Sequence, residues 1–253
     1  MVLAIRRSVT STRAVIYWPG HNTPRGGVVC LHGSEGGFGG WNDLNCTMFA
    51  ANGFVALSHN YTQIARSFTR PDIDDVPLDQ TEAALMALRK ELAPYRCGIG
   101  LFGVSRGAEH ALLLTQLLTE DGCATLPDAV AVHSPPDAAW PAFIVSDFQM
   151  GKPWAGDRQR PSWSWRGGHE RSRPGSLLGV TPLPCPVFIS QGTNDKVWGD
   201  RMARRLVERM AKAGRPPEAH FFEGEDHTFQ AEAANREWCL MVDFFSRHLV
   251  RTQ

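Results

Sequence analysis

Short apolar runs alternate with amphipathic helical stretches along nearly the whole of this 253-residue chain. Residues 13–18 (RAVIYW), 27–31 (GVVCL), 54–61 (FVALSHNY), 97–104 (CGIGLFGV), 129–134 (AVAVHS), 186–190 (PVFIS) and 219–224 (AHFFEG) have the length and apolar character of strands. Between them, residues 44–52, 79–92, about 106–118, 199–213 and 231–249 follow a helical pattern. In the second of these (DQTEAALMALRKEL), acidic residues come early and Arg89 and Lys90 late, as the helix dipole prefers. Strand–helix alternation predicts an α/β protein. Its central sheet is mostly parallel, because parallel neighbours need helical crossovers, and both faces are covered. The expectation is one domain over 1–253.

Residues 135–180 break the rhythm. They are rich in Pro, Gly, Trp and Arg and have no sustained period, so they read as a lid-like insertion. The segment holds Trp154, Trp163 and Trp165 with Lys152, Arg158, Arg160, Arg166, Arg171 and Arg173, offset only by Asp157 and Glu170. One reading is a solvated loop with aromatic anchors. The other is a lid whose aromatic wall meets an acyl chain and whose cations meet an anionic substrate, with Trp163, Trp165 and Arg166 as contacts.

The sharpest chemical signal is Gly103-Val104-Ser105-Arg106-Gly107, a G-x-S-x-G string. It lies where the run CGIGLFGV meets the helical stretch RGAEHALLL. A nucleophile elbow needs that sharp strand-to-helix turn, with small residues that let strand and helix approach. The helix start also aims backbone N–H groups at a reacting oxygen. Serine is a weak nucleophile at neutral pH and needs a base. In the α/β-hydrolase order the acid and then the histidine follow the serine. His227 in GEDHTF follows a strand and precedes the last helix, whereas His220 begins that strand and His248 lies in the helix. Asp195 in QGTNDKVW directly follows the strand PVFIS and is the candidate acid. Asp200 opens the next helix, and Asp226 adjoins His227 too closely to face it.

Leu31-His32-Gly33-Ser34-Glu35-Gly36-Gly37 follows the strand GVVCL, where this fold supplies an oxyanion donor. The expected oxyanion hole is the backbone N–H pair of Ser34 and Arg106. His32 reads as a brace for the loop, and Glu35 is either solvated or a substrate contact. The loop lacks both G-x-G-x-x-G and a P-loop lysine, so it does not read as a phosphate cradle. No HExxH or comparable cluster implies a metal, and no cofactor is expected.

Several segments resemble the C-terminal catalytic domain shared by acyl-CoA thioesterases and bile acid-CoA:amino acid N-acyltransferases. They are LHGSEGG, PDIDDVPLDQTEAAL, GVSRGAEHAL, AVAVHSP, PVFISQGTNDKVW and GEDH, spanning most of residues 27–200 and reaching His227. The neighbouring group is dienelactone hydrolase-like. The resemblance implies a single α/β-hydrolase domain with the 135–180 insertion after the sixth strand of that fold. It also implies a triad of Ser105, Asp195 and His227, an acyl-enzyme, and a thioester substrate, with a small ester or lactone as the alternative. Mammalian-type members carry a β-sandwich ahead of this domain. Here the second apolar run begins at residue 27, so that domain is not expected. Amino-acid conjugators of the family use cysteine, so a serine points to water as the acyl acceptor.

Composition agrees with a small-molecule enzyme. Lys+Arg and Asp+Glu number 26 each, which gives no reason to expect a nucleic acid or acidic membrane as partner. No apolar run approaches the ~18 residues of a membrane span, and no signal-peptide core follows Arg6 and Arg7. The six cysteines (Cys30, Cys46, Cys97, Cys123, Cys185, Cys239) are scattered singly, without a CxxC pair. A cytoplasmic enzyme is therefore expected, with homo-oligomerisation left open.

Overall fold

Residues 27–31 (GVVCL) are fully buried because both faces of their strand are covered. The computed structural model describes residues 5–9, 15–20, 23–37, 40–62, 72–151 and 159–250. Its main sheet contains β1 (Ile5–Val9), β2 (Val15–Pro19), β3 (Gly27–Leu31), β4 (Val55–His59), β6 (Ile99–Val104), β7 (Ala129–His133), β9 (Val187–Gly192) and β10 (Glu218–Phe222). The order is β1-β2-β4-β3-β6-β7-β9-β10. β1 and β2 pair antiparallel, as do β2 and β4, and the other pairs are parallel. The sequence reading missed β1. Of the expected run 13–18, residues 13 and 14 lie outside the described residues.

Successive strand residues enter opposite cores, as the pleat requires. Val28, Cys30, Phe102 and Phe188 face α1 (Trp41–Ala51) and α6 (Ala231–Leu249). Val29, Leu31, Leu101 and Ile189 face α2 (Asp79–Glu91), α3 (Arg106–Glu120) and α5 (Asp200–Lys212). The fold is the α/β-hydrolase fold, with helices on both faces of a mostly parallel sheet. Registers Leu31↔Gly103, Val104↔His133 and His133↔Ser190 align the carboxyl ends of four adjacent strands. Loops leaving one edge of the sheet therefore converge, which is where open α/β sheets place their sites.

The 135–180 segment packs against the connector before α2 and against α3. β8 (Trp163–Ser164) pairs with β5 (Val76–Pro77), and Ile73 bridges to Phe143. A short helix, α4 (Val145–Gln149), also lies here, with the Val145 amide on Asp72 at 2.7 Å. Lys152, Trp154, Asp157 and Arg158 lie outside the described residues.

A buried ion pair ties this segment to α3. Arg106 and Glu109, both side chains fully buried, meet at 2.8 Å. Arg106 also donates to Ser162 and lies 5.3 Å from the Trp163 ring. Glu109 accepts the Trp140 amide at 2.9 Å and the Trp163 indole N–H at 2.6 Å. Burial raises the Glu109 pKa, and Arg106 with these two donors offsets only part of the rise. Glu109→Ala would leave a buried guanidinium unpaired and should destabilise the fold by about 3–5 kcal/mol. A lowered urea midpoint at unchanged slope would register this.

Candidate active site

β6 turns into α3 at Ser105, which has φ 55° and ψ −114°, a strained backbone for a residue with a side chain. Close packing imposes the turn. A Cβ on Gly103 would lie 2.2 Å from the Gly107 carbonyl oxygen, and one on Gly107 would lie 2.4 Å from that of His32. The Ser105 amide is held by the His133 carbonyl at 2.9 Å. The side chain therefore projects at the strand end, with the residue only 6% exposed.

His227 comes from the loop after β10. Its Nε2 lies 3.0 Å from Ser105 Oγ, and its Nδ1 lies 2.8 Å from Asp195 Oδ2. With Nδ1–H donating to the carboxylate, Nε2 is the acceptor for the serine hydroxyl. Asp195 Oδ1 accepts the amides of Val197 and Trp198 at 2.7 and 2.9 Å, and Gln191 Nε2 reaches Oδ2 at 3.0 Å. Burial works against the Asp195 carboxylate. The hydrogen bond and charge of His227, with the two amides, outweigh it and hold the pKa below the usual range. The structure thus brings Ser105, His227 and Asp195 into one hydrogen-bonded series. Asp226 braces this arrangement, accepting the amides of His227 at 2.7 Å and Lys196 at 3.1 Å. Asp200 pairs instead with Arg204 at 2.9 Å.

The loop after β3 lies directly against Ser105, since a Cβ on Gly33 would be 3.3 Å from Ser105 Cβ. The Gly33 amide is taken by Glu35 Oε1 at 2.8 Å. The next amide, Ser34, lies beside the cavity, and the Arg106 amide opens α3 with no carbonyl one turn back to bond. His32 is buried, stacked on Tyr61 at 4.0 Å, with Nδ1 2.8 Å from the Gly33 carbonyl oxygen and Nε2 3.0 Å from Asn60 Oδ1. Burial holds its pKa down.

A cavity of about 480 Å³ opens at Ser105 and His227. Its walls include the aromatic rings of Trp41, Phe102, Phe143, Phe148, Phe229 and Trp238. Of the expected substrate contacts, Glu35 lines it. Trp163, Trp165 and Arg166 do not, so these three are not wall contacts. Trp163 is fully buried on Glu109, and the Trp165 indole N–H donates to Asp121 at 2.8 Å. Arg166 pairs with Asp79 and Glu82 and stacks over Trp165 at 4.1 Å. Arg160 pairs with Asp74, and Arg171 with Glu120 and Asp121. The acids come from the connector before α2, from α2 itself and from the end of α3, so these positive charges are neutralised within the fold. Among the described residues of the insertion, Phe143 and Phe148 reach the cavity.

Sequence reasoning also missed a buried pair under the site. His133 Nδ1 lies 2.7 Å from Glu237 Oε1, and its Nε2 lies 3.0 Å from the His227 carbonyl oxygen. Ser190 donates to the same Glu237 oxygen. Both ring nitrogens face acceptors, which suits the imidazolium. Burial opposes that charge, but Glu237 and the His227 carbonyl outweigh it and raise the His133 pKa. The available signal was position: His133 ends the strand beside the one that leads into Ser105.

No protein-family model matches the chain. It has the α/β-hydrolase fold and resembles acyl-CoA thioesterases. A curated relative, acyl-coenzyme A thioesterase 6 of Mus musculus, is 26% identical over 212 residues, 80% of this chain and 48% of that protein. The chain therefore spans about half the length of this relative. Among solved structures, a bacterial heroin esterase aligns with a TM-score of 0.65 at 17% identity, covering 99% of this chain and 85% of that one. An esterase of Thermogutta terrifontis with propionate bound aligns with a TM-score of 0.62 at 18% identity, covering 99% and 97%. Among the described residues no helix is long and apolar enough to cross a membrane, and no cluster of ligating side chains could hold a metal. Among the described residues no disulfide joins the cysteines.

The His133–Glu237 pair gives a pH signature. Below the unfolded histidine pKa of about 6.5, His133 is charged in both states and the pair contributes fully. That contribution is lost as pH rises through the raised folded pKa. Glu237→Gln should therefore lower the thermal midpoint more at pH 6 than at pH 9. Equal losses at both pH values would show that the pair is not ionic.

Proposed function

We propose that this chain is a serine hydrolase that cleaves an acyl thioester through an acyl-enzyme on Ser105. The observation that carries the reading is the series Ser105 Oγ, His227 and Asp195, at 3.0 and 2.8 Å, opening onto an apolar cavity. His227 takes the serine proton as Oγ attacks the acyl carbonyl carbon. Asp195 holds the imidazole in the required tautomer and stabilises its cation. The amides of Ser34 and Arg106 bind the oxyanion. His227 protonates the leaving thiolate, then takes a proton from water as the water attacks the acyl-enzyme. Its return to Oγ frees the acid. The cavity's aromatic walls suit an apolar acyl group. The thioester reading is supported by the likeness to the mouse thioesterase. A cytoplasmic setting fits cysteines that form no disulfide among the described residues.

A second reading, an uncharged carboxylic ester or lactone, has one observation in its favour. Among the described residues the cavity wall carries no lysine or arginine, and the insertion's Arg160, Arg166 and Arg171 are paired internally.

The test is thiol release from acyl-CoAs of graded chain length beside matched p-nitrophenyl esters. Ser105→Ala should remain folded and lose about 10⁴-fold or more in kcat on whichever substrate is used. Preference for the CoA thioester over its matched ester supports the first reading, and turnover of esters alone the second. Activity retained by Ser105→Ala would overturn both. Arg166→Ala should leave the KM for an acyl-CoA unchanged.

A further inference from the structure

Trp198 is 1% exposed and packs at a tilt against Trp140, with ring centroids 4.7 Å apart and planes at 58°. All three of its polar groups serve the candidate site. Its amide donates to Asp195 Oδ1 at 2.9 Å, its carbonyl accepts from Gln191 Nε2 at 3.0 Å, and its indole N–H donates to Ser105 Oγ at 3.1 Å. The Ser105 hydroxyl can serve two partners at once. It has one proton to give to His227 and lone pairs to receive the indole. Trp198 is not among the residues lining the cavity, whereas its neighbour Val197 is. The indole reaches the oxygen from the buried side, so a substrate entering the cavity does not displace it.

We propose that Trp198 is a further catalytic residue, a fixed hydrogen-bond donor to Ser105 Oγ that stabilises this oxygen whenever it carries negative charge. The inference rests on the reading of Ser105 as the nucleophile. In acylation the Oγ–carbon bond forms while the Oγ proton passes to His227. In deacylation a water oxygen bonds to the acyl carbon, the Oγ–carbon bond breaks, and the proton taken from water passes through His227 to Oγ. The indole N–H transfers no proton in either half. Negative charge gathers on Oγ as it attacks and again as it departs. A hydrogen bond to a charged oxygen is stronger than one to a neutral hydroxyl, so the donor favours the transition states over the resting enzyme. Burial adds to the effect by excluding water as a replacement donor. The same residue couples nucleophile to acid. The loop turn that presents its amide to Asp195 also aims its ring at Ser105, and the bond holds Oγ in the rotamer that faces His227.

The test separates the N–H from the ring. Trp198 is replaced by 3-benzothienylalanine, which keeps the bicyclic shape and lacks the donor, and in parallel by phenylalanine (Trp198→Phe). The readouts are the rate of Ser105 labelling by a fluorophosphonate, kcat on p-nitrophenyl butyrate, and the thermal midpoint. For the benzothienyl variant, labelling rate and kcat should each fall about tenfold to a hundredfold. Its thermal midpoint should stay at the wild-type value. Wild-type rates in that variant would overturn the proposal whatever Trp198→Phe does, because only packing would then be at stake. Should Trp198→Phe fail to fold, the benzothienyl variant still decides. A Ser105→Ala enzyme that turns over p-nitrophenyl butyrate at the wild-type rate breaks the underlying reading. An inactive Ser105→Ala beside a fully active benzothienyl variant refutes the role of Trp198 alone.

Discussion

Three backbone segments meet at the glycines flanking Ser105, and no side chain separates them. Gly103 packs on the Gly107 carbonyl and Gly107 on the His32 carbonyl, each so closely that a β-carbon would collide with backbone. That contact forces the strand–helix turn and the positive φ at Ser105. It also sets the loop after β3 against Ser105. The strain persists because its surroundings are rigid. β6 is flanked by β3 and β7, and α3 is buried along nearly its whole length. The Arg106–Glu109 pair then locks the first turn of α3 to the insertion, so the helix cannot relax to relieve the turn.

The other half of the site is held by polar contacts. Asp226 accepts amides from the acid loop and the histidine loop, Gln191 clamps Asp195, and His133 grips the His227 carbonyl. A buried His–Glu pair beneath a half-buried histidine is costly unless each atom is matched, and Ser190 supplies a further donor to Glu237. The result is a polar floor under an aromatic-lined cavity, with Ser105 Oγ at their boundary.

The features legible in the sequence are those written in local pattern. β3 occupies 27–31, α2 runs from Asp79 to Glu91 and α6 from Ala231 to Leu249, all within a residue of their apolar periodicity. Ser105, Asp195 and His227, which the fold brings into one hydrogen-bonded series, could be nominated because each follows a strand in the α/β-hydrolase chain order. β1 was missed because IRRSV carries two adjacent arginines and pairs at the sheet's edge. The insertion's arginines misled because their partners are remote in sequence: Arg166 meets Asp79, and Arg171 meets Glu120. Charge counted within a segment says nothing of acids that the fold brings to it. Trp198 and Glu237 escaped notice for a related reason. Their roles depend on loop and helix placement, not on a motif.

The central claim is that chemistry passes through a covalent ester on Ser105. It is tested most directly by quenching the enzyme in acid during turnover of a slowly deacylated p-nitrophenyl ester, then mapping the added acyl mass by peptide sequencing. The account predicts one acyl group per chain, on the peptide containing Ser105. An acyl group on another residue, or rapid turnover with no trapped adduct in a quench fast enough to catch the p-nitrophenol burst, would contradict it.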